Sequence, residues 1–179
     1  MKRIFLFTGV AILSGCSTKR NEDLKYKIYS VVIDNYFNKS KLTSDSVFIV
    51  LNDSIADFRN EMGELIYSVE NNSSFFDEYF RGDTSFKSFI LSVKTVDSRV
   101  VPLLPEKIKS KPNFVIETKN EFIKSDLPYS FIHFSNVVFN KEFNKAILFV
   151  SGGGSGSWCF LRYNKDGWII DNTIMSWIV

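Results

Sequence analysis

Ala146-Ile147-Leu148-Phe149-Val150-Ser151 is the stretch on which the reading of the fold turns. Successive side chains of a strand point to opposite faces, so Ala146, Leu148 and Val150 fall on one side and Ile147 and Phe149 on the other. Both sides are apolar, and a strand of that kind is covered on both faces. Outward from it, Ile132 to Phe139, Ser157 to Tyr163 and Trp168 to Asp171 are further short runs rich in Val, Ile, Phe, Trp and Tyr. The gaps hold Asn140 to Lys145, the glycine loop Ser151 to Ser157, and Asn164-Lys165-Asp166-Gly167, whose residue types accept turn geometry. Asp166-Gly167 is the sharpest turn signal, because glycine reaches positive φ without steric cost. The chain from Phe131 to Val179 therefore reads as an antiparallel meander.

The cover must come from earlier in the chain. Leu24, Ile28, Val31, Val32 and Tyr36 follow helical spacing, with Tyr29, Ile33 and Phe37 widening the stripe. Phe58, Met62, Leu65, Ile66 and Val69 form a second helical pattern, interrupted by Gly63. Phe75, Phe76, Tyr79 and Phe80 make a short aromatic helix, and Asp83 is placed to cap another that carries Phe86, Phe89, Ile90 and Val93. Ser46 to Leu51 and Phe114-Val115-Ile116 read as strands, the second following an extended segment punctuated by Pro102, Pro105 and Pro112. The fold class expected is α+β, with N-terminal helices packed on a curved, mainly antiparallel sheet ending in a C-terminal β-meander. With 18 Phe residues, the core is expected to be Phe-rich.

The first residues carry an address. Met1-Lys2-Arg3 is basic, and Ile4 to Leu13 is apolar apart from Thr8 and Gly9, which suits a signal-peptide core and is shorter than the roughly 20 residues that span a bilayer. The run ends in Leu13-Ser14-Gly15-Cys16, which resembles the lipobox of bacterial lipoproteins, whose cysteine receives diacylglycerol before cleavage on its amino side. That resemblance implies a lipoprotein signal peptide over 1–15 and lipid attachment (palmitate) at Cys16; the polar run that follows reads as a tether over 16–23, and the remaining length suits a single α+β domain over 24–179. The resemblance also implies a cell-envelope location, lipid-anchored to a bacterial membrane, the outer membrane being the expectation. Losing Lys2 and Arg3 removes the formal charge of +2, so the basic balance of the whole chain says nothing about partners, and no nucleic-acid footprint is present.

Ser135-Asn136-Val137-Val138-Phe139-Asn140-Lys141, Lys145-Ala146-Ile147-Leu148, the glycine loop, Tyr163-Asn164-Lys165-Asp166-Gly167-Trp168 and the closing Trp177-Ile178 follow one another in an order similar to a group of uncharacterised small bacterial secreted proteins and lipoproteins. The resemblance covers Pro105 to Val179. It implies a helix-plus-sheet fold and supplies no reaction and no catalytic residue.

Residue chemistry gives few candidates. The glycine loop lacks the second glycine of a nucleophile elbow and the lysine of a phosphate loop, so a hairpin loop or a backbone anion nest is what remains. His133 is the only histidine, which leaves no histidine-rich metal site and a single candidate base. Arg162 shares a strand face with Trp158 and Phe160 and is either an edge arginine or an anchor for a carboxylate or anion. His133 and Arg162 are the two weak candidate ligand contacts; no catalytic, cofactor or metal residue is assigned. Cys159, between Trp158 and Phe160, reads as a buried thiol, and with Cys16 acylated it has no disulfide partner. Asp53 and Asp57 read as a cap and a solvated carboxylate. The function expected is a non-enzymatic binding or interaction module held to a membrane by its lipid, with a hydrolase acting on an envelope substrate or an immunity-type protein neutralising a toxin as alternatives.

Overall fold

The computed structural model describes residues 21–35, 47–55, 57–93, 101–111, 114–120 and 129–178. The signal segment, Cys16 and most of the tether lie outside the described residues. Helix α1 covers 21–35 and so takes in Asn21, Glu22 and Asp23, which the sequence reading gives to the tether. It is followed by β1 (Val47–Leu51), α2 (Arg59–Asn71), α3 (Phe75–Phe80), α4 (Lys87–Ser92) and a 3₁₀ turn at Pro105–Lys107. The remaining strands are β2 (Phe114–Thr118), β3 (Tyr129–Phe134), β4 (Val138–Phe139), β5 (Lys145–Gly152), β6 (Ser155–Asn164) and β7 (Gly167–Ile178). They form one seven-stranded sheet in the order β2-β1-β3-β5-β6-β7, with β4 paired to β5. β1 runs parallel to β2 and β3; every other pairing is antiparallel, and β5-β6-β7 is a meander.

Strand β5 divides the core as its alternation requires. Ala146, Leu148 and Val150 join Ile28, Tyr29, Val32 and Ile33 of α1, whereas Ile147 and Phe149 join Met62, Leu65, Phe80, Phe86 and Ile90 of the α2 to α4 region. Leu148 and Phe149 are both wholly buried. On the α1 side Tyr29 stacks on Phe134 with ring centroids 4.5 Å apart. On the other side Phe149 lies 4.6 Å from Phe58 and 5.0 Å from Trp158. Full burial of such side chains stabilises by about 1.5–3 kcal/mol each, so the two faces of one strand hold helices from two parts of the chain together.

Two departures from the sequence reading have local causes. The run Ile132 to Phe139 is two strands, because the chain turns aside at Ser135. There the Ser135 hydroxyl accepts the Phe149 N–H (2.8 Å) and donates to Asn136 O (2.9 Å), while the Tyr29 hydroxyl donates to Ser135 O (2.9 Å). The last strand does not end at Asp171. Phe160 pairs with Asn172 and Leu161 with Ile170, leaving Asp171 as an extra residue in a β-bulge. The bulge exchanges the faces: Trp168 and Ile170 pack on the α1 side and Ile174 on the α2 to α4 side.

The extended segment of residues 101–111 lies along α1. Tyr26, Ser30 and Asp34, one helical turn apart, accept backbone N–H groups of Leu104 (3.1 Å), Lys109 (2.9 Å) and Lys111 (3.0 Å). A proline-punctuated segment cannot satisfy its amides in a ladder of its own, and the helix supplies the acceptors.

Candidate functional site

Arg162, on β6, reaches from the α2 to α4 face of the sheet to the connection between α3 and α4. Its Nη2 donates to Asp83 Oδ2 (2.8 Å), Asp171 Oδ2 (2.8 Å) and Ser85 Oγ (3.1 Å). The bulge aims Asp171 at it. Lys145, directly opposite Arg162 in the β5–β6 register, donates to Ser85 O. The buried Phe86 ring lies under both cations, at 5.2 Å from Lys145 Nζ and 5.6 Å from Arg162 Cζ. Two like charges opposed across a ladder repel, and two carboxylates and an aromatic face offset that repulsion here. Asp83 is held below the usual carboxylate range by the Ser85 N–H and hydroxyl and by the Arg162 guanidinium, and Arg162 is raised chiefly by Asp171. Of the two sequence readings of Arg162, the carboxylate anchor is the one found, with both carboxylates supplied by the protein itself.

Asp83 is not the cap of α4. Its Oδ1 accepts the Ser85 N–H (2.8 Å) in an Asx turn, and α4 begins after Phe86 with no side-chain cap. Asp57 pairs with Arg59 (2.7 Å) and Asp53 accepts the Asn120 N–H (3.2 Å), so neither carboxylate joins a site with the other.

His133 stands elsewhere. It pairs with Ser151 near one end of β5, while Arg162 pairs with Lys145 at the other, six residues or about 20 Å away at strand spacing. Its ring is exposed, and partial desolvation together with the Lys119 ammonium hold its pKa below the ordinary imidazole value. Cys159 is buried in the α1-side core among Leu148, Leu161 and Trp168. In the glycine loop Gly153 (φ +59°) and Gly154 (φ +81°) are both left-handed and join Gly152 to its cross-strand partner Ser155. That is a two-residue primed hairpin turn, the tight form of the hairpin reading. A cleft of about 180 Å³ opens beside it, between Ser130, Phe131, Val150 and Ser151.

The feature absent from the sequence reading, which does give β1 and β2 as strands, is the partly exposed side of β1, β2 and β3. Helices α2 to α4 cover β5 to β7 on one face; on that same face Val115, Tyr129 and Phe131 are 37%, 41% and 38% exposed, beside His133. Tyr129 and Phe131 meet edge to face at 5.4 Å. The signal is in the sequence, because Tyr129, Phe131 and His133 alternate with Ser130 and Ile132, but the strand expected from it begins only at Ile132. Among the described residues no cluster of His, Cys, Asp or Glu is arranged to hold a metal ion, and no helix is long and apolar enough to cross a membrane.

Comparison with protein families, with curated proteins and with solved structures finds no match.

Proposed function

We propose that this protein is a lipid-anchored binding module of a bacterial cell envelope, tethered through Cys16 and working by contact instead of by catalysis. The observation that carries the reading is the contrast across one face of the sheet: aromatic and aliphatic side chains stand exposed on β2 and β3, on the face where β5 to β7 bury theirs beneath helices. Apolar groups exposed together on a rigid sheet are what an interaction surface offers a partner. The ionisable groups fit the same reading. Asp83 and Asp171 are balanced by Arg162 and Lys145, and His133 lies too far from them to share a substrate. The lipid half of the proposal rests on Leu13-Ser14-Gly15-Cys16. Two acyl chains of the kind such a motif receives make anchoring stable, since each buried methylene adds about 0.8 kcal/mol.

The test has two arms. Cells expressing the full chain should incorporate labelled palmitate, and Cys16→Ala should abolish it; equal labelling of the variant would remove the anchor. A photo-crosslinking residue at Phe131 should give a discrete, saturable adduct in those cells, whereas one at the exposed Tyr67 of α2 should not. Equal, diffuse adducts at both positions would remove the binding face.

A further inference from the structure

Strand β2 stands at the end of the sheet, hydrogen-bonded to β1 alone among the described strands. The direction of its backbone groups can be read from its flanks. Lys119 N donates to Leu51 O (2.9 Å), so Lys119, Glu117 and Val115 turn toward β1, and the alternate residues Phe114, Ile116 and Thr118 turn outward. Phe114 agrees, its N–H being given to Lys111 O (3.0 Å). The N–H and C=O of Ile116 therefore face away from the sheet. They border an open groove of about 640 Å³ between β2 and residues 105–111, with Ile108, Phe114 and Ile116 as its apolar wall.

Lys109, Ser110 and Lys111 form the opposite rim, and Glu106 stands at its proline end. Lys107 is paired with Glu22 at 2.7 Å, but Lys109 and Lys111 have no carboxylate within salt-bridge distance among the described residues. Their backbone is fixed all the same, since Ser30 and Asp34 of α1 hold the amides of both. An outward donor and acceptor on one residue, an apolar wall and two ammonium groups on a fixed rim, without a salt-bridge partner among the described residues, match a particular kind of ligand.

We propose that the β2 edge receives an extended acidic peptide segment of a partner protein as an added strand, its main chain on Ile116 and its carboxylates on Lys109 and Lys111. A peptide amide satisfies both backbone groups of Ile116, whereas a phosphate chain would leave the carbonyl unmet. A second copy of β2 is disfavoured because it would bring the same lysines with it, the device by which sheet edges avoid their own kind. The inference rests on the reading of the domain as a binding module and names its partner class.

The experiment uses the full chain in detergent micelles and three fluorescein-labelled seven-residue peptides, alternating Thr with Glu, Gln or Lys. The Glu peptide should bind saturably, and the Gln peptide at least about tenfold more weakly, a loss of one decade in Kd. The double variant Lys109→Glu, Lys111→Glu should lose the Glu peptide by a similar factor and prefer the Lys peptide. At saturation the Ile116 amide should exchange with solvent at least about tenfold more slowly than in the free protein. Ile116→Pro removes the outward N–H without touching the bonds to β1, so it should abolish binding; if that variant does not fold, the amide-exchange arm on the natural chain decides. No saturable binding, equal binding of the Glu and Gln peptides, or an unchanged Ile116 amide would each overturn the strand addition. A crosslink at Phe131 that persists beside such a failure leaves the interaction module standing, so the two readings fail separately.

Discussion

The half of the sheet built from β5, β6 and β7 and the half built from β1, β2 and β3 differ in what covers them. Ile147, Phe149, Trp158 and Phe160 lie beneath α2 to α4, and Leu148, Cys159 and Leu161 beneath α1. In the other half Ile49, Leu51 and Ile132 are equally buried on the α1 side, yet Val115, Tyr129 and Phe131 keep more than a third of their surface on the opposite side. Among the described residues one half is a core on two faces, while the other is a core on the α1 side and on its opposite side buries Val50 but leaves Val115, Tyr129 and Phe131 partly exposed. Buried apolar area, and with it stability, is therefore concentrated where α2 to α4 sit, and the exposed apolar side chains of the sheet stand beside them on β2 and β3.

The largest test of that contrast is truncation. Leu148→Ala and Phe149→Ala each open a cavity in a wholly buried position, at a cost of about 2–5 and 3–5 kcal/mol, against a stability of roughly 5–15 kcal/mol for a domain. Each should bring the protein close to unfolding in urea, and Phe131→Ala, which gives up a half-exposed ring paired with Tyr129, should cost less, about 1 kcal/mol. A loss below about 1 kcal/mol in either of the first two would show that its face is not covered, and the contrast would dissolve.

A second, intermediate effect lies at the seam of the two halves. Gly152, at the end of β5, has the Phe131 carbonyl so close that a Cβ would sit 2.2 Å from its oxygen. The neighbour is backbone and cannot rotate away. Gly152→Ala should therefore cost about 1–3 kcal/mol, as overpacking does, and should loosen the β3–β5 pairing before anything else. Chemical-shift changes confined to β3 and β5 would support this. A variant as stable as the natural protein would mean that the two strands part at no cost.

How far the sequence could be read follows the same division. The alternation in Ala146 to Ser151 announced a two-sided cover, and the helical spacing of Met62, Leu65 and Val69 located part of it, because a side chain's face follows from its period alone. Where a polar contact resets the period, the reading stopped short. Asp171 looked like a strand end, although it is a bulge whose carboxylate is held by Arg162, and Ser135 divides a run that looks continuous in letters. The partners of Arg162 were out of reach for another reason. Asp83 and Ser85 lie far away in sequence, and no local pattern reports a contact closed by tertiary packing. The groove beside β2 depends on an order of strands that adjacency in the chain does not disclose, since β2 and β3 both pair in parallel with β1.

The third effect is that of the Arg162 anchor. With side chains 35%, 45% and 28% exposed at Arg162, Asp83 and Asp171, solvent screens these pairs, and Arg162→Gln should cost only about 1 kcal/mol. It should act locally, speeding amide exchange in the connection between α3 and α4 while β1 to β3 stay unchanged. Faster exchange across the whole sheet would make Arg162 a part of the core instead of a strap over it.

The smallest effect expected is a dependence on pH, and it belongs to the uncovered half. His133 titrates below the ordinary imidazole value of about 6.5 because its ring is partly desolvated and faces the Lys119 ammonium. The unfolded chain then binds the proton more readily than the folded one. Stability is independent of this group above the unfolded pKa, falls as pH drops through it, and levels off below the folded pKa. The exposed ring and solvent screening keep the loss small. His133→Gln should leave the urea midpoint at pH 8 unchanged and flatten the decline between about pH 7 and 5 that the natural protein shows. Asp83 contributes in the same direction but lower, since its folded pKa lies beneath the carboxylate range, so its share is lost only in more acid solution. Were the decline to survive His133→Gln at full size, the imidazole would face solvent as freely in the folded chain as in the unfolded one. Lys119 would then exert no repulsion on it, and the side of β3 that carries Phe131 would be more open still.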